Sequence, residues 1–323
     1  MISIDLSTPL PELQDYLKNK GWLLPEEEIL ATSKAGEGNM NVVIRLKTDQ
    51  RSLILKQSRP YVQKYQQIPA PLERISVEHQ FYAALEGQPI EAHIPKIYHY
   101  DPQDFLLAME DLGQVEDLTQ LYSAKVVSQD LLDKLTAIAK TIHQAKPGKT
   151  YPLNLELRQL NHQHIFVLPF LEDNGFDLDD IQPGLQELSL PYKTDTRLKE
   201  VVETISKRYL SEGHSLIHGD YYPGSWMTAK GNLYVIDPEF SFVGDPEFDL
   251  GVMAAHCIMV TAEPDYVGRI AETYRQEVDL KLIKQFAGIE IIRRLIGLAQ
   301  LPLSRTIKEK DYLLQEAKKL ILG

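Results

Sequence analysis

His218-Gly219-Asp220-Tyr221-Tyr222-Pro223-Gly224-Ser225, followed by Val235-Ile236-Asp237-Pro238-Glu239, is the stretch on which the reading of this chain turns. Phosphoryl transfer needs one carboxylate to orient the attacking hydroxyl and a second to hold metal ions on the phosphates. The spacing this chemistry uses is a loop Asp, a metal ligand a few residues on, and an Asp at the end of the next strand. Asp220, Ser225 and Asp237 fall on it, and the short apolar runs Ser215–Ile217 and Leu233–Ile236 flank the loop as buried-strand candidates. Taken alone, His-Gly-Asp reads equally well as a turn with a capping Asp. An Asp at the right interval after an apolar strand is what that alternative does not explain. Asp220 is therefore the expected base, with Asp237 and Ser225 as expected metal ligands. Glu239 follows Asp237 across a proline; in extended chain both carboxylates point to one side, an all-oxygen pair that suits Mg²⁺. A solvated loop acid is the other reading of Glu239.

Outward from this loop the chain divides by pattern. Upstream, Ile29–Thr32 is an apolar run, Val42, Ile44 and Leu46 alternate, Thr48-Asp49-Gln50 turns the chain and Leu53–Lys56 returns it, all strand signals. A helix is expected over Glu12–Lys20, stopped by Gly21, and another over Leu72–Leu85. Ile97–Tyr100 and Phe105–Met109 form a hairpin around Asp101-Pro102. Downstream the period is helical: Leu131 to Ile142, Leu198 to Tyr209, Asp265–Glu277, Lys281–Ala299 and Lys308–Ile321. Residues 148–195, rich in Pro, Asn and Asp, resist assignment. The expected fold class is α+β, with a small antiparallel-sheet N-lobe (1–112) for nucleotide and a larger, mainly helical C-lobe (113–323) for catalysis and substrate.

The upstream lobe should supply a nucleotide clamp. Gly36-Glu37-Gly38-Asn39 sits between two strands, where small residues let backbone amides approach phosphates; an ordinary hairpin turn has the same composition. Lys56 shares a strand face with Ile54 and needs a partner if buried. Glu78 on the following helix is the first candidate and Glu73 the second. Met109-Glu110-Asp111-Leu112 ends the last strand of the lobe, where main-chain groups of Glu110 and Leu112 would meet a base. Downstream, Asp249 reads as an N-cap or as a brace for the 218–225 loop. Arg293 and Arg294 border the polar arc of an otherwise apolar helix, with Glu290 and Gly297 between them. By the residues alone, two solvated arginines salt-bridged to Glu290 is the simpler account, and a ligand notch at Gly297 the sharper one. His162 and His164 lack further metal ligands nearby, and His256 reads as core.

The balance of 34 basic against 46 acidic residues, net −12, argues against a nucleic-acid or anionic-membrane binder, which needs a basic face. It leaves room for a nucleotide, which needs only local cations. The single cysteine, Cys257, forms no internal disulfide or cysteine-rich zinc site. No basic segment precedes an apolar run at Met1–Asp5, and no stretch approaches the ~20 apolar residues of a membrane span. A cytoplasmic protein is expected, and a homodimer is compatible with the sequence.

These segments together resemble the aminoglycoside-phosphotransferase and choline-kinase superfamily, whose fold is protein-kinase-like, and within it the methylthioribose kinase branch. The resemblance rests on Gly38-Asn39-Met40-Asn41, Leu55-Lys56-Gln57 with Pro60-Tyr61, Met109-Glu110-Asp111-Leu112, His218-Gly219-Asp220 with Gly224-Ser225, Asp237-Pro238-Glu239-Phe240, Phe248-Asp249, and Arg293-Arg294 with Gly297-Leu298-Ala299. It implies ATP and Mg²⁺ as cofactors, Asp220 as base, Asp237 and Glu239 on the metal, Lys56 on the phosphates, and Arg293 and Arg294 on the substrate. The implied reaction is phosphorylation of the anomeric hydroxyl of 5-methylthioribose, a step of methionine salvage. Tyr221-Tyr222-Pro223 stands where the family has Leu-His-Thr, and Gln300 where it has His, so Tyr221 and Tyr222 are expected beside the substrate. Three readings follow. One is a kinase of methylthioribose or a related sugar; another is a choline-, ethanolamine- or aminoglycoside-type amine kinase. The last is an inactive nucleotide-binding kinase fold, whose mark would be the loss of Lys56, Asp220 or Asp237.

Overall fold

A computed structural model describes residues 2–36 and 40–323; Gly38 and Asn39 of the glycine-rich turn lie outside the described residues. The chain opens with α1 (Leu10–Asn19), then β1 (Ile29–Lys34), β2 (Val42–Thr48), β3 (Ser52–Gln57), a small hairpin β4 (Tyr61–Val62) and β5 (Tyr65–Pro69), α2 (Arg74–Ala84), β6 (Ile97–Asp101) and β7 (Leu106–Glu110). Five of these strands form an antiparallel sheet in the order β1-β2-β3-β7-β6. Because side chains alternate across a strand, β3 serves two purposes. Leu53 and Leu55 join Ile4, Leu13, Leu17, Ile44 and Leu46 in a core against α1, while Ile54 and Lys56 face the opposite side, toward a cleft. The expected hairpin and the two expected helices are present. The β4–β5 hairpin, in a segment that reads as a proline-interrupted loop, is not expected from the pattern.

The remainder comprises β8 (Glu116–Asp117), α3 (Leu121–Ala124), α4 (Gln129–Gln144), α5 (Leu155–His162), α6 (Leu185–Lys193), α7 (Thr196–Leu210), β9 (Ser215–Ile217), β10 (Trp226–Ala229), β11 (Asn232–Val235), β12 (Phe242–Gly244), α8 (Pro246–Thr261), α9 (Tyr266–Tyr274), α10 (Leu280–Ile296) and α11 (Ile307–Leu322). Side chains cap the starts of α4, α7, α10 and α11. Ser128 accepts from Leu131 N at the start of α4 and Asp195 from Leu198 N at the start of α7, while Thr306 and Glu309 form a reciprocal capping box on α11. The two strands expected to flank the 218–225 loop, β9 and β11, do not pair with each other, and the loop runs directly into β10, which the pattern does not predict. β9 pairs with β12, and β11 with β10, which also pairs with β8. Residues 148–195 hold α5, continued by a π-helical turn over Gln163–Val167, and α6, with two short 3-10 turns between them. α10 stops at Ile296, three residues before the expected end, because Gly297 turns to extended backbone. Among the described residues no helix is long and apolar enough to cross a membrane.

Candidate active site

β9 delivers the chain to the 218–225 loop, and the loop is held from below. Gly219 has φ +83°, and a Cβ there would lie 2.3 Å from the Phe240 carbonyl oxygen, so both conformation and space require glycine. Asp249 is fully buried in the first turn of α8 and accepts the main-chain N–H groups of His218 (2.7 Å) and Gly219 (3.0 Å). It is a brace and not a cap, since the N-cap of α8 is Asp245. Burial keeps His218 below the usual histidine range and hence neutral. Its Nε2–H donates to the Ile236 carbonyl at 3.0 Å, leaving Nδ1 to accept from the Asp220 amide at 3.3 Å. The Asp220 carboxylate is thus presented to a cavity of about 670 Å³ between the sheet and the helices.

Asp220 sits recessed in that cavity with 23% of its side chain exposed. Burial pushes its carboxyl up to about 6, against Arg294 and Arg293, with Glu290 and Asp237 adding to the rise. Asp237 has left-handed backbone, φ 62°, a conformation that non-glycine residues rarely hold and that clusters at functional sites. Its side chain is 48% exposed, and Lys56 Nζ donates to its Oδ1 at 2.6 Å. Lys56 also lies 2.6 Å from Glu78 Oε2, a charge contact rather than an aligned hydrogen bond. Glu78, and not Glu73, is its partner on α2. Burial opposes the charge on Lys56, but Asp237, Glu78 and Glu239 together hold it above the ordinary lysine range.

Glu239 departs from expectation in its backbone. The left-handed Asp237 and a 3-10 turn over Pro238–Phe240 replace the extended chain that would align the two carboxylates. Glu239 is buried and accepts from Asn41 Nδ2 at 2.9 Å, with Arg74 Nε at 3.4 Å. Arg74 in turn donates to Asn41 Oδ1 and to the carbonyls of Met40, Arg59 and Pro71. This buried arginine is not visible in sequence, because its partners are mostly main-chain groups. Among the described residues no group of three or more His, Cys, Asp or Glu is arranged to hold a metal ion alone.

The two tyrosines part company. Tyr221 is fully buried away from the cavity, donates to the Leu135 carbonyl at 2.7 Å and packs on Trp226; its expected place beside the substrate is wrong, because a loop anchored by Asp249 turns that side chain into the core. Tyr222 lines the cavity, and the Arg294 guanidinium lies 4.7 Å over its ring. Arg293 and Arg294 are not solvated. Both are buried, both bind Glu290, and Arg294 reaches Asp220 at 3.5 Å. Gly297 is no ligand notch: a Cβ there would meet the Arg293 carbonyl at 2.4 Å and Pro169 at 3.1 Å. Gly36, Lys56, Glu110, Leu112, Ser225, Asp237 and Glu239 all line the same cavity as Asp220 and the arginines. So do Asn161 and His164, which the pattern leaves unassigned. His256 is buried between Tyr122 and Glu290. A histidine in the apolar run of α8 was the available signal, since a buried polar group needs partners.

An antiparallel sheet and a helical part, with a recessed Asp220, a lysine–carboxylate cluster and an arginine pair around one cavity, have the arrangement of a two-lobed small-molecule kinase. The model of the APH phosphotransferase enzyme family matches residues 32–282, and the chain belongs to that family. It is similar to the methylthioribose kinase of Exiguobacterium sibiricum, 26% identical over 84% of this chain and 81% of the relative. It is also similar to that of Bacillus cereus strain B4264, 24% identical over 95% and 88%. In fold it matches spectinomycin phosphotransferase APH(9)-Ia in complex with ADP and spectinomycin (TM-score 0.55, 14% identity, 98% of each chain). It likewise matches the choline kinase LicA from Streptococcus pneumoniae (TM-score 0.52, 16% identity, 96% and 98%).

Proposed function

We propose that this kinase transfers the γ-phosphoryl group of ATP to a hydroxyl of a small uncharged sugar, with methylthioribose as the first choice. The observation that carries the reading is the juxtaposition of Asp220 with Arg294 at 3.5 Å in the cavity that also holds Lys56 and Asp237. Asp220 accepts the proton of the acceptor hydroxyl as its oxygen bonds to phosphorus and the bond to the leaving ADP oxygen breaks. Lys56, fixed by Glu78, steadies the phosphates. Gly36 borders the same cavity. The amide of Glu110 is already donated to the Lys96 carbonyl at 2.8 Å, so a base would take its main-chain N–H from Leu112 rather than from Glu110. We place the division between nucleotide and catalytic lobes there, at 112/113.

Asp237, half exposed beside the cavity, and Ser225 offer oxygen donors that fit Mg²⁺, which normally takes one or two carboxylates plus nucleotide phosphates. Glu239 would join them while keeping its contacts to Asn41 and Arg74. Bound there, the ion would neutralise phosphate charge.

The acceptor end favours a sugar over an amine. Its walls are Leu160, Asn161, His164, Tyr222, Leu298 and Leu301, with Arg293 and Arg294 facing in; an ammonium prefers acidic and aromatic walls. The test is ATP turnover with Mg²⁺ against methylthioribose, ribose, choline and a kanamycin-type amine. Turnover of the sugars above the amines is expected. Preference for an amine would overturn the substrate class, and no turnover of any acceptor, with nucleotide still bound, would favour the inactive fold.

A further inference from the structure

Glu290 lies beneath the two arginines on α10 and is 1% exposed. Its Oε1 accepts from Arg294 Nε at 2.6 Å and its Oε2 from Arg293 Nη1 at 2.9 Å. The three- and four-residue spacing along a helix brings both guanidinium groups onto one carboxylate. Behind it, His256 Nε2 lies 3.2 Å from Oε1, and the Tyr122 hydroxyl lies 2.6 Å from His256 Nδ1. A carboxylate only accepts, so Nε2 carries the proton and Tyr122 donates to Nδ1. Burial and Arg294 hold His256 neutral, which fixes that direction. On the cavity side Arg294 reaches Asp220 at 3.5 Å. Two cations therefore meet two carboxylates, one of them hidden from the ligand.

We infer that Glu290, oriented by His256 and Tyr122, is a positioning residue that aims the arginine pair and cancels part of its charge, so that the acceptor end takes an uncharged hydroxyl compound and turns away an anion. The inference rests on the proposed roles of Asp220 and the arginines at the acceptor. A free guanidinium fork binds phosphate or carboxylate in bidentate fashion. Here Glu290 takes up Arg294 Nε and one N–H of Arg293 Nη1, and its buried charge offsets one of the two guanidinium charges. Without the Glu290 charge the same pair becomes an anion site.

The experiment uses the full chain with Glu290→Gln, Glu290→Asp and Tyr122→Phe. The readouts are KM and kcat for the neutral acceptor that wild type turns over best, inhibition by ribose 5-phosphate as an anionic probe, and ADP binding by calorimetry. For Glu290→Gln we expect KM to rise and the inhibition constant of ribose 5-phosphate to fall, each by ~10-fold, the scale of one charge-assisted contact. Tyr122→Phe should move both the same way by ~3-fold, and Glu290→Asp should lie nearer to wild type. ADP affinity should stay within ~2-fold of wild type. Loss of activity with an unchanged inhibition constant would mean a purely structural Glu290 and would overturn the inference. If Glu290→Gln does not bind ADP, the other two variants decide, and an unchanged inhibition constant in both overturns it. If wild type prefers an amine, the sugar reading fails, while the response of the anionic probe still tests Glu290.

Discussion

Two buried charge networks face each other across one cavity, and they are built differently. On the side proposed for the nucleotide Glu78, Asp237 and Glu239 confront Lys56 and Arg74. The partners come from distant parts of the chain: Lys56 and Asp237 are 181 positions apart, and Asn41 and Glu239 are 198 apart. Negative charge is in excess there, and Asp237 is half exposed. On the side proposed for the acceptor Asp220 and Glu290 balance Arg293 and Arg294, and the grip on both arginines is local to one helix. An unbalanced, partly open network is suited to take up a cation, whereas a balanced and closed one is suited to hold direction for an uncharged ligand. Truncating one member of a buried ionic set leaves an uncompensated charge, so each network can be broken separately and its consequence read.

The largest effect should come from the unbalanced side. Asp237→Ala is expected to abolish turnover and to weaken nucleotide binding only when Mg²⁺ is present, because a metal-holding carboxylate acts through the metal. Calorimetry of ATP with and without Mg²⁺ checks this; equal affinities for Mg-ATP in variant and wild type would remove Asp237 from the metal. Next is Asp220→Asn, which should lower kcat at least ~100-fold, the scale of a positioned base, with ATP affinity nearly intact. Near-normal turnover would sink the assignment. On the balanced side, Arg293→Lys and Arg294→Lys should each reduce kcat/KM by at least ~10-fold, or about 1.4 kcal/mol, since lysine lacks the planar fork that Glu290 and Asp220 share. Normal turnover in both would make the pair structural.

The smallest effects concern protons. Asp220 must be ionised to take the hydroxyl proton, so kcat/KM should fall as pH drops through about 6. A profile flat down to the ordinary Asp value of 3.8 would mean that burial does not act as described. For stability the sign is opposite. Between 3.8 and about 6 the folded protein holds the Asp220 proton more tightly than the unfolded chain, so raising pH through that window removes stability. Asp220→Asn should accordingly melt at or above the wild-type temperature at neutral pH, as measured by calorimetry; a clearly lower Tm would mean that the contact with Arg294 outweighs burial.

Local spacing by itself determined the loop from His218 to Ser225, Asp237 after its strand, the face of Lys56 in β3, and the helices whose apolar residues recur with helical period. These follow from main-chain periodicity, which needs no partner. Tertiary structure alone decided which polar groups were buried and against what. It turned Tyr221 into the core, brought Arg293 and Arg294 out of solvent, chose Glu78 over Glu73, and replaced an extended Asp237–Glu239 with a left-handed turn. It also placed Arg74 at the centre of a network that its neighbours in sequence do not reveal, and supplied the partners of His256, whose place in an apolar run signals burial but not what it meets. The reason is physical: a buried charge is set by the groups that replace its water, and in this chain most of those groups arrive from other elements.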